Sequence, residues 1–379
     1  MAPSSFSSLV FYISPLCGNI KSKWYSPARF QRTMQISSMF HNINIETLMV
    51  SSLSKDKSLS SQQNISYMGN SFQSLLRYPL LFISSFRLLR LCYIFKPSYI
   101  CLYNSRFPEF ILAFLALIFY KATYIVELED LPSARIENSG LAGFLDTIST
   151  KIYSFLGLKF LSVSDSVRLI LNKDYNVRFS NILVLPPLLS DDYLSLVVNR
   201  NTPFSCDTIK ILYAGGYGPE KGVDQLVQSY LESRETIKSE LHLFGPISKS
   251  LMSLAASYND IIVHGVVSRD ELLNNLLNVD VLVNPHRVDT SAAMFFPFKV
   301  IEMSAAGCLF FTSRMPGVEK LDLHTESIFD SYSDLTNKLK ESRRIWAHHS
   351  ALMTEASLQV RLKYSIGCQS KNINCFLNP

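Results

Sequence analysis

Short apolar runs alternate with longer segments of helical period along most of the chain. In the first half, Leu9 to Ser14, Ile45 to Ser51, Tyr99 to Tyr103, Thr123 to Leu128, Phe160 to Ser164 and Asn181 to Leu185 read as strands. Helical runs such as Pro79 to Phe95 and Pro108 to Lys121 lie between several of them. Both carry proline in the first helical turn, where its missing N–H leaves no hydrogen bond unmade. A second series places strands near Ile209 to Ala214, Glu240 to Phe244, Ile261 to Val263, Val279 to Val283 and Cys308 to Thr312. Ser268-Arg269-Asp270-Glu271 is a capping box opening a helix that ends near Leu277. Strands alternating with helices predict parallel sheets, and hence an α/β fold with two Rossmann-like units. Pro186 to Thr208 is polar and helix-poor, which predicts an interdomain linker over 191–208. The expected organisation is a first domain over 1–190, a second over 209–355 and a terminal helix within 356–379.

A chain of 379 residues favours two domains, each long enough for its own core. Hydrophobic residues make up 47%, a high share for a soluble protein. The longest obvious uninterrupted apolar run, Phe110 to Tyr120, falls well short of the roughly 20 residues of a spanning helix, so no span is expected. Met1 to Cys17 has no basic leader ahead of its apolar stretch, which argues against a secretory signal and against a lipoprotein reading of Leu16-Cys17. The seven cysteines show no C-x-x-C spacing, so neither a zinc site nor a disulfide framework is expected and a reducing cytoplasm is.

The net charge of +5 is unevenly placed. The first hundred residues hold ten Lys or Arg against two acids, so the remainder carries −3. A solvated basic face explains this without function; attraction to an anionic membrane surface or a phosphorylated acceptor is the functional reading. No nucleic-acid module accompanies the charge, so a nucleic-acid partner is not expected. The run Pro79 to Phe95 either packs inside the first domain or lies in a lipid interface with Arg87 and Arg90 at the headgroups.

Two motifs carry the chemistry. Leu212-Tyr213-Ala214-Gly215-Gly216-Tyr217-Gly218-Pro219-Glu220-Lys221-Gly222 and Phe296-Pro297-Phe298-Lys299-Val300-Ile301-Glu302-Met303-Ser304-Ala305-Ala306-Gly307 each read as a strand or loop feeding a helix whose first turn holds a lysine. Two helix N-termini and two cations suit one polyphosphate. The glycines would let backbone N–H groups reach a phosphate, although a tight turn with a surface lysine accounts for the same residues. A Walker loop needs Gly-Lys followed by Ser or Thr, and the dinucleotide fingerprint puts its third glycine one residue before Gly222, so neither fits. Glu302 stands one helical turn past Lys299, and a carboxylate there can accept from both hydroxyls of a vicinal diol such as a ribose. The helix dipole alone would also favour a glutamate at that end.

The segments ILYAGGYGPEKGVDQLV, LHLFGP, VHGVVSRDELLNNLLNVDVLVNP and FPFKVIEMSAAGCLFFTS, in this order and spacing, resemble the second domain of family 4 (group 1) glycosyltransferases from Lys210 to about Ser313. The resemblance is looser in the first half; Tyr364-Ser365 before the last helix resembles the family's terminal segment, which implies that the helix within 356–379 packs back on the first domain. The resemblance implies the GT-B fold, two Rossmann-like domains facing a central cleft, and a retaining hexosyl transfer with neither metal nor cofactor, the nucleotide-sugar being the donor substrate. No Asp-x-Asp occurs in the chain, in keeping with a metal-free site. The acceptor implied is a glycan or a lipid-linked sugar of bacterial surface polysaccharide synthesis, made in the cytoplasm or peripherally at the inner face of the plasma membrane.

Residue by residue, the resemblance gives Lys221 and Lys299 to the donor diphosphate, Gly215 and Gly216 to its loop, Glu302 to the ribose and the Gly265-Val266 backbone to the base. Many relatives have an arginine just after the first glycine of the loop, where this chain has Gly216 or, with a shift, Tyr217. Where much of the family has a further glutamate near the sugar, this chain has Met294, and Asp289, Thr290 or Ser291 stand in as sugar contacts. Asp130, in the acidic cluster Glu127-Leu128-Glu129-Asp130, is the candidate for orienting or deprotonating the acceptor, the alternative being a helix cap. Arg29, in Trp24 to Arg29, is a candidate for an acceptor phosphate or a solvated side chain. Two rival readings are a sugar-nucleotide epimerase of the same architecture and a catalytically silent nucleotide-sugar-binding partner.

Overall fold

The computed structural model describes residues 8–15, 27–52, 65–67, 77–132, 140–200, 202–287, 298–315, 318, 321 and 323–378. The chain divides into two compact units, Met1–Leu188 with Ile366–Pro379, and Leu189–Ser365.

The first unit runs β1 (Ser8–Ser14), α1 (Pro27–His41), β2 (Ile45–Ser51), β3 (Ile65–Tyr67), α2 (Arg77–Phe95), β4 (Tyr99–Tyr103), α3 (Phe107–Phe119), β5 (Thr123–Leu128), α4 (Leu141–Phe155), β6 (Lys159–Ser162), α5 (Asp165–Tyr175) and β7 (Ile182–Val184). Its sheet is parallel throughout, in the order β3-β2-β1-β4-β5-β6-β7. Both sheet faces are covered, so the central strands read as unbroken apolar runs, Val10 to Ile13 and Ile100 to Leu102 being fully buried. Alternation sends Val10 and Tyr12 into a core shared with Ile36, Met39 and Phe40 of α1 and with Ile366, Ile373 and Leu377 of the chain's last helix. Phe11, pointing the other way, meets Phe95 of α2.

The second unit runs α6 (Asp191–Val198), β8 (Ile209–Ala214), α7 (Val223–Ser233), β9 (Ser239–Phe244), α8 (Lys249–Ala255), β10 (Ile261–Gly265), α9 (Arg269–Leu276), β11 (Val281–Asn284), α10 (Phe298–Ala305), β12 (Leu309–Ser313), β13 (Ile328–Phe329), α11 (Tyr332–Lys340) and α12 (Ser342–Lys363); α13 (Ile366–Leu377) then returns to the first unit. The sheet order is β10-β9-β8-β11-β12-β13, again parallel. Ile211, Tyr213, Leu241, Val281 and Phe311 face α7, α8 and α11, while Leu212, Phe244, Leu282 and Phe310 face α6 and α10. The capping box at Ser268 forms, its hydroxyl accepting from the Glu271 N–H at 3.2 Å.

Every strand read from the sequence is present, with ends within two residues. The short strands β3 and β13 were not expected. The stretch 191–208 is not helix-poor: Ser190 caps α6 by accepting from the Tyr193 N–H at 3.3 Å, and Tyr193 and Val197, one turn apart, are buried beside Leu212 and Val300. One cap and one apolar pair outweigh the polar composition. A count of uninterrupted apolar residues also passes over one long helix. Tyr78–Phe95 is, among the described residues, one helix long and apolar enough to cross a bilayer by length and composition. Arg87 and Arg90 hide it from a count of uninterrupted apolar residues. In the fold, Leu81, Ser85, Leu88 and Cys92 form its buried stripe.

At the C-terminal end of β5 lies a buried ionic cluster. Arg32 of α1, 1% exposed, donates to Glu127 Oε1 at 2.6 Å and to the carbonyls of Pro186 and Leu185 at 2.7 and 2.8 Å. Tyr12 donates to the other oxygen of Glu127, and Tyr103 to Glu129 Oε2. Glu129 Oε1 is 3.9 Å from Arg32 Nε. One cation thus serves two carboxylates. Burial and the charge of Glu127 push the Glu129 carboxyl up to about 8, so it holds a proton at neutral pH.

A carboxyl raised in the folded state favours folding fully below its unfolded value, and that contribution disappears as pH rises through the folded one. Stability of the first unit should therefore decline between about pH 4.5 and about pH 8 by a few kcal/mol, at about 1.4 kcal/mol per unit of displacement. Urea unfolding across this range should show the slope in the native chain and a flatter profile in Glu129→Gln. An equally steep profile in that variant would assign the slope to another group.

Candidate functional site

The chain leaves β8 towards β9 and β10 on one side and comes back to place β11 on its other side. Parallel sheets open a crevice at such a reversal, beyond the C-terminal strand ends. Both lysine motifs lie there. After β8 come the glycine loop and a 3₁₀ turn, Pro219–Lys221, in which the Lys221 N–H donates to the Gly218 carbonyl at 2.9 Å. Lys221 therefore does not open an α-helix, as the sequence suggested. Gly222 follows in the left-handed region, φ 65°, and α7 starts at Val223.

Gly222 also sits hard against the segment after β11. A Cβ there would lie 1.8 Å from the Pro285 carbonyl oxygen and 2.5 Å from the Tyr332 hydroxyl. Only glycine satisfies both the torsion and the approach. The Arg287 N–H donates to the Glu220 carbonyl at 3.0 Å, and Tyr332 donates to the Pro285 carbonyl at 2.9 Å. This docking brings Lys221 Nζ to 3.1 Å from His286 Nε2. His286 Nδ1 lies 2.7 Å from Asn284 Oδ1, which only accepts; hence Nδ1 carries the proton and Nε2 accepts from the lysine. Asn284 in turn donates to Thr312 Oγ1 at 3.0 Å within the core. Burial, then the charges of Lys221 and Lys299, hold His286 down at about 3, so it is neutral at working pH.

Lys299 stands in the first turn of α10. Its ammonium donates to the Ala214 carbonyl and lies 5.5 Å from the centre of the Tyr213 ring, whose hydroxyl donates to the Gly216 carbonyl at 2.6 Å. Burial lowers Lys299 to about 8; the Glu302 carboxylate opposes this and Lys221 adds to it. Glu302 is partly exposed, 3.5 Å from an Arg269 guanidinium nitrogen at the start of α9. The far end of α10 is tied down by Arg361, donating to the Ala305 carbonyl at 2.8 Å, and by Arg200, donating to that of Ala306 at 3.2 Å.

Lys221, Lys299, Glu302, Gly215 and Gly216 thus all belong to the C-terminal edge of this sheet. The glycines act differently from the expectation. Gly215 spends its N–H on the Phe244 carbonyl at 2.8 Å and makes room for the lysine, since a Cβ would lie 2.2 Å from Lys299 Nζ. Gly216 has nothing within 4 Å of where its Cβ would be. Val266 follows β10 and is 67% exposed, after Gly265, whose carbonyl accepts from the Gly245 N–H at 2.7 Å. Asp289, Thr290, Ser291 and Met294 lie outside the described residues, as does Trp24. Asp130 belongs to the first unit, in the turn after β5, where its N–H and that of Glu129 converge on Asn104 Oδ1 at 3.1 and 2.9 Å. Arg29 is in the first turn of α1, with its guanidinium 5.6 Å from the Tyr103 ring centre.

Sequence reasoning missed His286, Asn284 and the pairing of Arg269 with Glu302. The one available signal was Asn284-Pro285-His286 directly after a short apolar strand. Chemically, two ammonium groups and the N-terminus of α10 on either side of the β8/β11 crevice can neutralise a diphosphate, with a carboxylate one turn away for a diol.

No curated protein sequence matches the chain. Among solved structures it is similar over 98% of its length to a glycosyltransferase from Rickettsia africae ESF-5, with 98% of that chain covered, 15% identity and a TM-score of 0.75. It is also similar to Anabaena HepE in complex with UDP, at 12% identity and a TM-score of 0.71, covering 98% of this chain and 99% of that one. A third is the lipopolysaccharide outer core galactosyltransferase WaaB, at 13% identity and a TM-score of 0.66, with coverage of 98% and 99%. Residues 208–341 match the family model of glycosyl transferases group 1, so most of the second unit, its lysine site included, falls within that domain type, carried on a GT-B fold.

Proposed function

We propose that the chain is a retaining, metal-independent family 4 glycosyltransferase. It moves a sugar from a nucleotide-sugar donor to a glycan or lipid-linked acceptor of surface polysaccharide, in the cytoplasm or at the inner membrane face. The observation that carries this reading is the meeting of Lys221 and Lys299 across the β8/β11 crevice, with Glu302 one turn on. The UDP held by the Anabaena structure and the group 1 domain match support it.

In the reaction, the bond from the anomeric carbon to the donor phosphate breaks and a bond to the acceptor oxygen forms on the same face. The acceptor proton passes to the departing phosphate oxygen. Negative charge grows on the diphosphate, and Lys221, Lys299 and the N-terminus of α10, set against it, would stabilise the transition state more than the ground state. The neutral His286 fixes Lys221 through its lone pair without adding a charge. Glu302 would accept from the ribose hydroxyls, and Asp130 is the candidate for orienting the acceptor hydroxyl. Release of labelled nucleotide that requires acceptor separates this reading from an epimerase, which turns donor over alone, and from a silent binder, which does neither.

Glu302→Ala should weaken nucleotide-sugar binding by about 1.5 to 3 kcal/mol, as for a lost charged hydrogen-bonding group, with the thermal midpoint unchanged. Calorimetry showing native affinity would remove Glu302 from the ribose.

Donor binding should decline as pH rises through about 8, where Lys299 loses its proton. Lys221→Met removes a neighbouring positive charge, so in that variant the decline should move to higher pH although binding is weaker overall. A midpoint that stays put would mean that Lys299 is not the titrating group.

Transfer should survive exhaustive EDTA treatment, because the leaving-group charge is met by lysines. An enzyme silenced by chelation and revived by manganese would contradict the metal-free mechanism.

A further inference from the structure

The outer face of α2 and α3 is apolar where it should be polar. Along α2, Phe82, Ile83, Phe86, Tyr93 and Ile94 form one stripe opposite the buried one, with Ile83 63% and Phe86 58% exposed. Ring contacts continue it onto α3. Phe82 lies 5.9 Å from Phe86 and 6.2 Å from Phe114, and Tyr93 lies 5.6 Å from Tyr120 and donates to the Phe119 carbonyl at 2.8 Å. Ile118 and Phe119, the latter 60% exposed, close the patch. A contiguous surface of this kind marks a binding face.

Charge identifies the occupant. Arg87 and Arg90 stand within the stripe, and Lys96 and Lys121 stand just past the C-terminal ends of the two helices, all exposed. The one acid in α2 and α3, Glu109, is buried and bonded to Ser52. Every exposed charge here is therefore positive. A second copy docked through the same face would set Arg87 and Arg90 against their own equivalents. A bilayer with anionic headgroups accepts both features together: aromatic and aliphatic side chains enter the interface while the arginines reach up to phosphate.

We propose that the α2–α3 face is a docking surface for an anionic lipid bilayer, on which α2 lies flat over about 28 Å. It does not span, because Leu81, Leu88 and Cys92 remain committed to the core of the first unit. The face would bind lipid whether or not the chain transfers sugar, so the two readings stand or fall separately.

The test is flotation of the full chain with vesicles of phosphatidylcholine alone or mixed with phosphatidylglycerol, at low and high salt. Binding is expected only to the anionic vesicles and should fall with salt. Arg87→Glu with Arg90→Glu should reduce it roughly tenfold or more, and Phe86→Ser with Ile94→Ser should also reduce it. Both double variants should keep the native thermal midpoint and native turnover of donor with a soluble acceptor. No binding to anionic vesicles, or binding untouched by either pair, overturns the proposal. Light scattering that shows a dimer broken by the serine pair would assign the face to a second copy instead.

Discussion

The second unit depends on one close backbone approach, that of Gly222 to the Pro285 carbonyl. It joins the turn after β8 to the segment after β11, and so decides that two lysines distant in sequence share a crevice. Holding two ammonium groups together without a ligand is unfavourable, and the surroundings show how the cost is contained. Lys221 leans on a neutral imidazole lone pair, and Lys299 on a carbonyl and an aromatic face. Burial is the main cause of the lowered proton affinities of Lys299 and His286, and the neighbouring positive charge adds to it. On the proposed reading, such a site offers positive charge to a diphosphate before it arrives, which is the condition for electrostatic catalysis without reorganisation.

Much of this was legible because local patterns report local structure. Strands buried on both faces leave unbroken apolar runs, and such runs place eleven of the thirteen strands among the described residues. The exceptions, β3 and β13, have three and two residues and take their pairing from neighbours. Lys299 and Glu302 were readable because three-residue spacing on a helix is a geometric statement. His286 was not, since a single histidine after a strand has no periodicity and its role exists only once Lys221 arrives from 65 residues away. The cluster around Arg32 was hidden for the same reason, its partner Glu127 being 95 residues distant. The helix α6 was lost because composition was weighed over Ser190 and the Tyr193–Val197 pair.

The two units show opposite treatments of buried charge. In the first, surplus acid is met by keeping a proton on Glu129, beside a single guanidinium whose other donors are spent on backbone carbonyls. In the second, Lys299 is buried against a carbonyl and an aromatic ring, and Lys221 lies partly exposed, 3.6 Å from the Glu220 carboxylate. The first arrangement meets its surplus charge by protonation, the second by neighbouring groups at the strand edge.

The glycine loop after β8 is also uneven in what it tolerates. Gly222 is fixed by the Pro285 backbone carbonyl that a methyl group would strike, Gly215 and Gly218 face the side-chain ends of Lys299 and Glu220, and Gly216 borders empty space at an ordinary φ. Of the four glycines of this loop, Gly216 is therefore the one that admits a side chain most readily. A side chain of either sign could stand at Gly216 without rebuilding the turn, so the charge this loop presents can change while its architecture stays the same.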